Sequence, residues 1–152
     1  MQFYATNIFG IKLMNSGNAW YLWRMLSNEL NTPKVLHCPD DTPKIAATNF
    51  TVGFSDANIS YFLNLDALNE TYPQMLLDGD DNLAVNGVRV KPGILNLPTT
   101  NSLAWTKERH RGSGNIGMAD GSVMQVTSDT LNSLVIAATN GAPANMYRLV
   151  IP

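Results

Sequence analysis

His110-Arg111-Gly112-Ser113-Gly114-Asn115-Ile116-Gly117-Met118-Ala119-Asp120-Gly121-Ser122-Val123-Met124-Gln125-Val126 is the stretch whose reading decides the fold. Residues 115–119 and 122–126 read as strands on either side of Asp120-Gly121. That dipeptide is a two-residue hairpin signal of the I′ kind, because Gly121 accepts a positive φ at no steric cost. A helix is expected directly behind it, over 129–138, with Ser128 as its cap and Gly141 as its stop. Leu131, Leu134, Val135 and Ala138 would form its inward face. A hairpin feeding a one-faced helix points to antiparallel pairing with the helix packed on the sheet.

Working outward, 102–107 is a further strand, and Asn86-Gly87 between 83–85 and 88–90 is a second hairpin with a type I′ turn. Residues 59–66 and 74–77 are strand candidates, the latter running into an acidic turn over 78–82. Lys34-Val35-Leu36-His37 reads as a short strand ended by Cys38-Pro39-Asp40-Asp41. Ala19, Leu22, Trp23, Leu26 and Leu30 fall on one face of a helix over 17–30, capped by Ser16 or Asn18 and stopped by Asn31-Thr32-Pro33. The tail 148–152 could add an edge strand. The expected fold is therefore α+β, a mostly antiparallel sheet with an N-terminal amphipathic helix and a C-terminal helix. No internal repeat or linker interrupts 1–152, which reads as one domain.

Composition narrows the function classes. Hydrophobic residues make up 45% of the 152, enough for a real core and too many for a disordered chain. Only 14% are charged, against about 25% in an average soluble protein, so neutral polar groups must carry solubility. Such a surface suits an extracytoplasmic or filament-packed protein. Net charge is −2, and only Lys107, Arg109 and Arg111 cluster, so no basic stripe follows a phosphate backbone and nucleic acid is not expected as a partner. The single cysteine, Cys38, excludes an internal disulfide and reads as a small buried apolar residue. No apolar run approaches the roughly 18 residues of a membrane span, and no export signal is visible.

Two elements carry a family resemblance. One is a histidine, nine residues, then Asp-Gly entering a strand, His110 to Gly121, with Gly112, Asn115, Ser122 and Val123 in fitting places. The other is Cys38-Pro39-Asp40 behind an apolar strand candidate. In this order and spacing the chain resembles prepilin-type, pseudopilin-like proteins with a C-terminal H-X9-DG domain, of the kind found in Verrucomicrobia and Planctomycetes. The likeness runs from Met25 to the 148–152 tail. It implies a pilin-like head, a non-enzymatic role in a type IV pilus-like or type II secretion-like system, and exposure in the periplasm or outside the cell. Partners would be other pilin-like subunits and assembly proteins, reached through an N-terminal helix. The leader, the methylated Phe-Thr-Leu-x-Glu segment and that apolar helix are missing here; Met1 opens on Gln-Phe-Tyr. The expectation is a head cut free of its anchor, not membrane-inserted and unable to polymerise alone.

The motif residues admit two readings. In the structural one, Asp120-Gly121 builds the turn, His110 hydrogen-bonds Asp120 or a nearby carbonyl, and Asn115 satisfies loop backbone groups. In the other, a metal or ligand sits between His110 and Asp120. Asp78, Asp80 and Asn82 place oxygen ligands at alternate positions around Gly79, the manner of a calcium loop, but lack a downstream bidentate Glu. A solvated acidic turn is the plainer alternative, so the expectation is no cofactor, with calcium at this run as the alternative. No Gly-x-Ser-x-Gly and no phosphate-cradling glycine motif occurs, and an enzyme is not expected. A glycan-binding module would present aromatic rings for stacking, with Trp20, Trp23, Tyr61, Trp105 and Tyr147 as candidates. A metal-dependent enzyme would need His110 to meet at least two carboxylates in one cleft.

Overall fold

The computed structural model describes residues 18–67, 72–97, 102–139 and 148–152. The architecture is α+β with mostly antiparallel sheet. Helix α1 (Ala19–Met25) is followed after Leu26 by the single turn α2 (Ser27–Leu30). Ala19, Leu22 and Trp23 are buried. The start of α1 is capped from a distance: Trp20 N–H donates to Asp56 Oδ1 at 2.7 Å, satisfying one of the free donors of a helix N-terminus. Ser16 and Gly17 lie outside the described residues.

The segment expected as a strand before Cys38 is instead a 3-10 turn, Pro33–Leu36. Pro33 presets the backbone of its first position, and Thr32 Oγ1 accepts from Lys34 N–H at 3.4 Å. This local closure wins over the β preference of Val35 and Leu36.

Six strands form the main sheet: β1 (Tyr61–Asn64), β2 (Leu76–Asp80), β5 (Gly93–Asn96), β7 (Ser113–Met118), β8 (Val123–Thr127) and β9 (Arg148–Ile151). Their order is β5-β9-β1-β2-β7-β8, every pair antiparallel. The C-terminal tail is thus an interior strand and not an edge; Leu149, Val150 and Ile151 are all buried because both faces of β9 are covered. A smaller sheet orders β4 (Val88–Arg89), β3 (Leu83–Val85) and β6 (Leu103–Trp105), and α3 (Ser128–Thr139) follows β8.

Two turns behave differently from each other. Asn86 and Gly87 take φ of 50° and 78° between the paired Val85 and Val88, as a type I′ hairpin requires. At the other hairpin only Gly121 has positive φ, 85°. Gly121 N–H donates to Met118 O and Met118 N–H to Ser122 O, so the loop has three residues, a turn over Ala119-Asp120 followed by a left-handed glycine. The two-residue I′ expectation is corrected there. Ser128 is not the cap of α3: its Oγ accepts from Trp105 N–H at 3.0 Å, and Thr127 Oγ1 takes the Thr130 N–H instead. Leu131, Val135 and Ala138 are buried and Leu134 half-buried. Gly141 lies outside the described residues.

The main sheet separates two cores. Phe62, Leu76, Ile116, Leu149 and Ile151 point towards α3 and the small sheet, while Leu63 and Val150 point towards α1 with Trp23 and Leu36. A β-bulge at Leu77 sets the phase of β2. Leu76 opposes Met118 but Asp78 opposes the very next residue, Gly117. The extra residue turns Gly79 to the Ile116 side and leaves Asp78 and Asp80 on the α1 side.

Candidate functional site

Three segments meet on the α1 side at the open end of β2. The first is the turn Cys38-Pro39-Asp40-Asp41, closed by Asp41 N–H to Cys38 O at 2.9 Å, with Pro39 at the position where its fixed φ is favourable. The second is Asp80-Asp81 at the end of β2. The third is Arg109-His110-Arg111-Gly112, closed by Gly112 N–H to Arg109 O at 3.1 Å. His110 and Arg111 have φ of 50° and 55°, and Gly112 has 80°. Left-handed backbone at two non-glycine residues is strained by about 1–2 kcal/mol each. It holds because the side chains on either side are tied down.

Those ties run residue by residue between the first and third segments. Asp40 Oδ2 accepts from His110 N–H at 2.8 Å and lies 3.6 Å from His110 Nδ1. Cys38 Sγ lies 3.3 Å from His110 Nε2. Arg109, only 5% exposed, donates to Asp41 Oδ2 at 3.0 Å and to Asp81 Oδ1. Lys44 adds a contact to Asp81 Oδ2 at 2.5 Å. Burial pulls the Lys44 ammonium down to about 8 against the opposing pull of nearby aspartates.

Asp80 is the hub of the sheet side. It is 0% exposed, and its Oδ2 accepts from Asn115 N–H at 2.7 Å and Asn115 Nδ2 at 3.1 Å. The same oxygen lies 3.7 Å from His110 Nε2. Oδ1 is buried with no hydrogen-bond partner among the described residues. Cys38, Asp80 and His110 each bring one ligand atom to within 4.8 Å of the others. Nearby, burial first and then the charges of Cys38 and Asp80 push the Tyr61 hydroxyl up to about 12.

The structure therefore unites Cys38, Asp40, His110 and Asn115 and separates them from Asp120. The Asp120 carboxylate is used locally: Oδ1 accepts from Ser122 N–H at 2.9 Å and from Ser122 Oγ at 2.6 Å. Those bonds, the hydroxyl's first, hold its pKa below the ordinary carboxylate value. Of the expected partners for His110, Asp120 or a nearby carbonyl, the structure gives neither Asp120 nor a site between the two: His110 N–H meets Asp40, because β7 carries the two motif ends apart along an extended strand. Gly121 serves the hairpin and Gly112 the left-handed turn.

The acidic run is a turn only at its end, where Asp81 and Asn82 connect β2 to β3. Asp78 and Asp80 lie within β2, and Asn82 Nδ2 donates to Thr106 O at 3.4 Å. A calcium loop wraps its oxygens around one ion, and the extended strand does not form that loop. Asp78 faces Gly117, whose missing side chain makes room for it: a Cβ there would lie 2.1 Å from Asp78 Oδ1. Burial raises the Asp78 pKa, with the Gly117 N–H bond opposing and the Asp80 charge reinforcing. Asp78 opens onto a shallow cavity of about 240 Å³ lined by Trp23, Leu36, Tyr61, Ile116 and the 75% exposed Val123.

The glycan candidates are placed as follows. Trp23 and Trp105 are buried, Trp20 and Tyr61 are half-buried, and Tyr147 is outside the described residues. Trp20 and Tyr21 meet edge-on at 88°, a geometry that offers no flat platform.

Asp80 and Arg109 are the members that sequence reasoning assigned to other roles, an acidic turn and a scattered basic cluster. Arg109 carries a signal only as a charge beside His110, and Asp80 only as one oxygen ligand of the acidic run. No helix among the described residues is long and apolar enough to cross a membrane. Comparison with protein-family models, with curated proteins and with solved structures finds no match.

Proposed function

We propose that this chain is the head domain of a prepilin-type, pseudopilin-like subunit, a non-enzymatic part of a pilus-like or secretion-like assembly displayed outside the inner membrane. The observation that supports this most directly is the meeting of its two family-like elements. Cys38 and Asp40 both reach His110 across 72 and 70 residues of sequence. Two short elements that resemble one family and interlock as a pair of turns behave as one structural unit. That unit joins the α1 side of the sheet to the β7–β8 hairpin. The antiparallel sheet with a leading helix packed on it agrees with a pilin-like head, as does a surface with few charges. Its partners would be other pilin-like subunits, engaged through an apolar N-terminal helix.

The test is the N-terminus of the native protein recovered from cell envelopes and read by mass spectrometry. The reading expects a methylated residue produced by a prepilin peptidase, followed by roughly 20 apolar residues and then this head. It also expects an unprocessed precursor in cells lacking that peptidase. A native protein that begins at Met1 and fractionates with the cytosol would overturn it.

A further inference from the structure

We propose that Cys38 Sγ, His110 Nε2 and the Asp80 carboxylate form a three-ligand site for a zinc-class divalent cation, with the fourth position open. The site goes beyond the head-domain reading and does not depend on it.

Charge is the first argument. Among the described residues, every other buried aspartate has a basic partner: Asp41 and Asp81 share Arg109, Asp81 also meets Lys44, and Asp66 pairs with Arg148. Among the described residues Asp80, completely buried, meets no Lys or Arg and has only the His110 imidazole, 3.7 Å away, as a basic neighbour. Its second oxygen has no hydrogen-bond partner among the described residues. A buried carboxylate without a cation is costly, and a bound cation would supply what is missing.

Geometry is the second. A tetrahedral zinc with Zn–S of about 2.3 Å and Zn–N of about 2.0–2.1 Å holds its sulfur and nitrogen ligands roughly 3.6 Å apart. Cys38 Sγ and His110 Nε2 are 3.3 Å apart, and His110 Nε2 is 3.7 Å from Asp80 Oδ2. These two separations lie within a few tenths of an ångström of tetrahedral values, and all three ligand atoms lie within 4.8 Å of one another.

Support around the ligands is the third. A metal-bound imidazole commonly turns its other nitrogen to a carboxylate, and His110 Nδ1 faces Asp40 Oδ2 at 3.6 Å. Asn115 donates twice to Asp80 Oδ2 and so fixes the carboxylate beside the imidazole, while Oδ1 has no hydrogen-bond partner among the described residues. Cys38 N–H is held by Ser60 Oγ at 3.0 Å. The strained left-handed turn at His110 and Arg111 is what delivers the imidazole. Binding replaces the thiol proton: the Cys38 S–H bond breaks, a metal–sulfur bond forms, and the proton passes to solvent. Two anionic ligands and a neutral imidazole then leave the site electrically neutral.

The test uses the full chain, stripped with a chelator and titrated with cobalt(II) and then zinc(II). One cobalt per chain should bind, with a thiolate charge-transfer band and intense tetrahedral d–d bands, both displaced by zinc. Cys38→Ser should abolish the charge-transfer band, and Asp40→Asn should weaken zinc about 10–100-fold while leaving stoichiometry intact. In the unaltered protein, zinc should slow alkylation of Cys38 at least tenfold in the folded state, a readout that needs no variant. Pale octahedral cobalt spectra, or an alkylation rate that zinc does not change, would overturn the proposal.

Discussion

Replacing Arg109 with Met removes the one cation shared by two buried carboxylates while keeping the volume of its stem. The Arg109 side chain is 5% exposed, and its partners Asp41 and Asp81 are 9% and 6% exposed. Breaking a buried pair from one side costs about 3–5 kcal/mol, because the remaining charge is stranded in low dielectric. Lys44 still holds Asp81 in the variant and keeps some attraction for Asp41, so Asp41 is the group that loses its ion pair and the expected loss lies near the lower bound, about 3 kcal/mol. For a domain of this length that is a fall of about 6–12 °C in Tm. Urea unfolding followed by tryptophan fluorescence measures it, with an unchanged m-value confirming that the same surface is exposed. Adding Asp41→Asn to Arg109→Met should restore about half of the loss, since a neutral amide is cheaper to bury than an unpaired carboxylate. A loss below about 1 kcal/mol, or further destabilisation from the second change, would refute the claim that this ion pair is buried and mutual.

Three further outcomes are expected. Gly117→Ala places a methyl on Asp78 Oδ1 and should destabilise by about 1–3 kcal/mol, whereas Gly117→Ala combined with Asp78→Ser should recover much of it in thermal melts. Asp78→Asn should stabilise at pH 7. Burial raises the folded-state pKa of Asp78 above its unfolded value of 3.8, so the native state holds the proton more tightly and stability falls as pH rises through that window. The advantage of the amide should vanish in melts run below the ordinary carboxylate range. Asp56→Ala removes the acceptor for Trp20 N–H and should cost about 1 kcal/mol, seen as faster amide exchange at the start of α1.

Features that depend on a few adjacent residues were legible without coordinates. Asn86-Gly87 specified its I′ turn because only residues tolerant of positive φ fit there. Leu131, Val135 and Ala138 marked the buried face of α3 by spacing alone. Prediction failed where a local preference met a stronger local or distant constraint. Thr32 and Pro33 curled the segment at Val35 into a 3-10 turn. Trp105, 23 residues away, claimed Ser128 and moved the helix cap to Thr127. Strand β2 extends through Asp80, and the bulge at Leu77 turned Asp78 and Asp80 to the α1 side, which the pattern of charges did not announce.

Sequence by itself singled out Cys38, Asp40, His110 and Asn115 as residues of two short motifs, placed the hairpins, and pointed to an α+β fold. Only the tertiary structure decided that the two elements face each other, that Asp80 lies beside His110 with no Lys or Arg partner among the described residues, and that Asp120 stands apart. The physical reason is range. Turn chemistry and helical period act over two to four residues. The meeting of positions 38, 80 and 110 depends instead on strand order, on one bulge and on a left-handed turn at His110 and Arg111 held from outside itself.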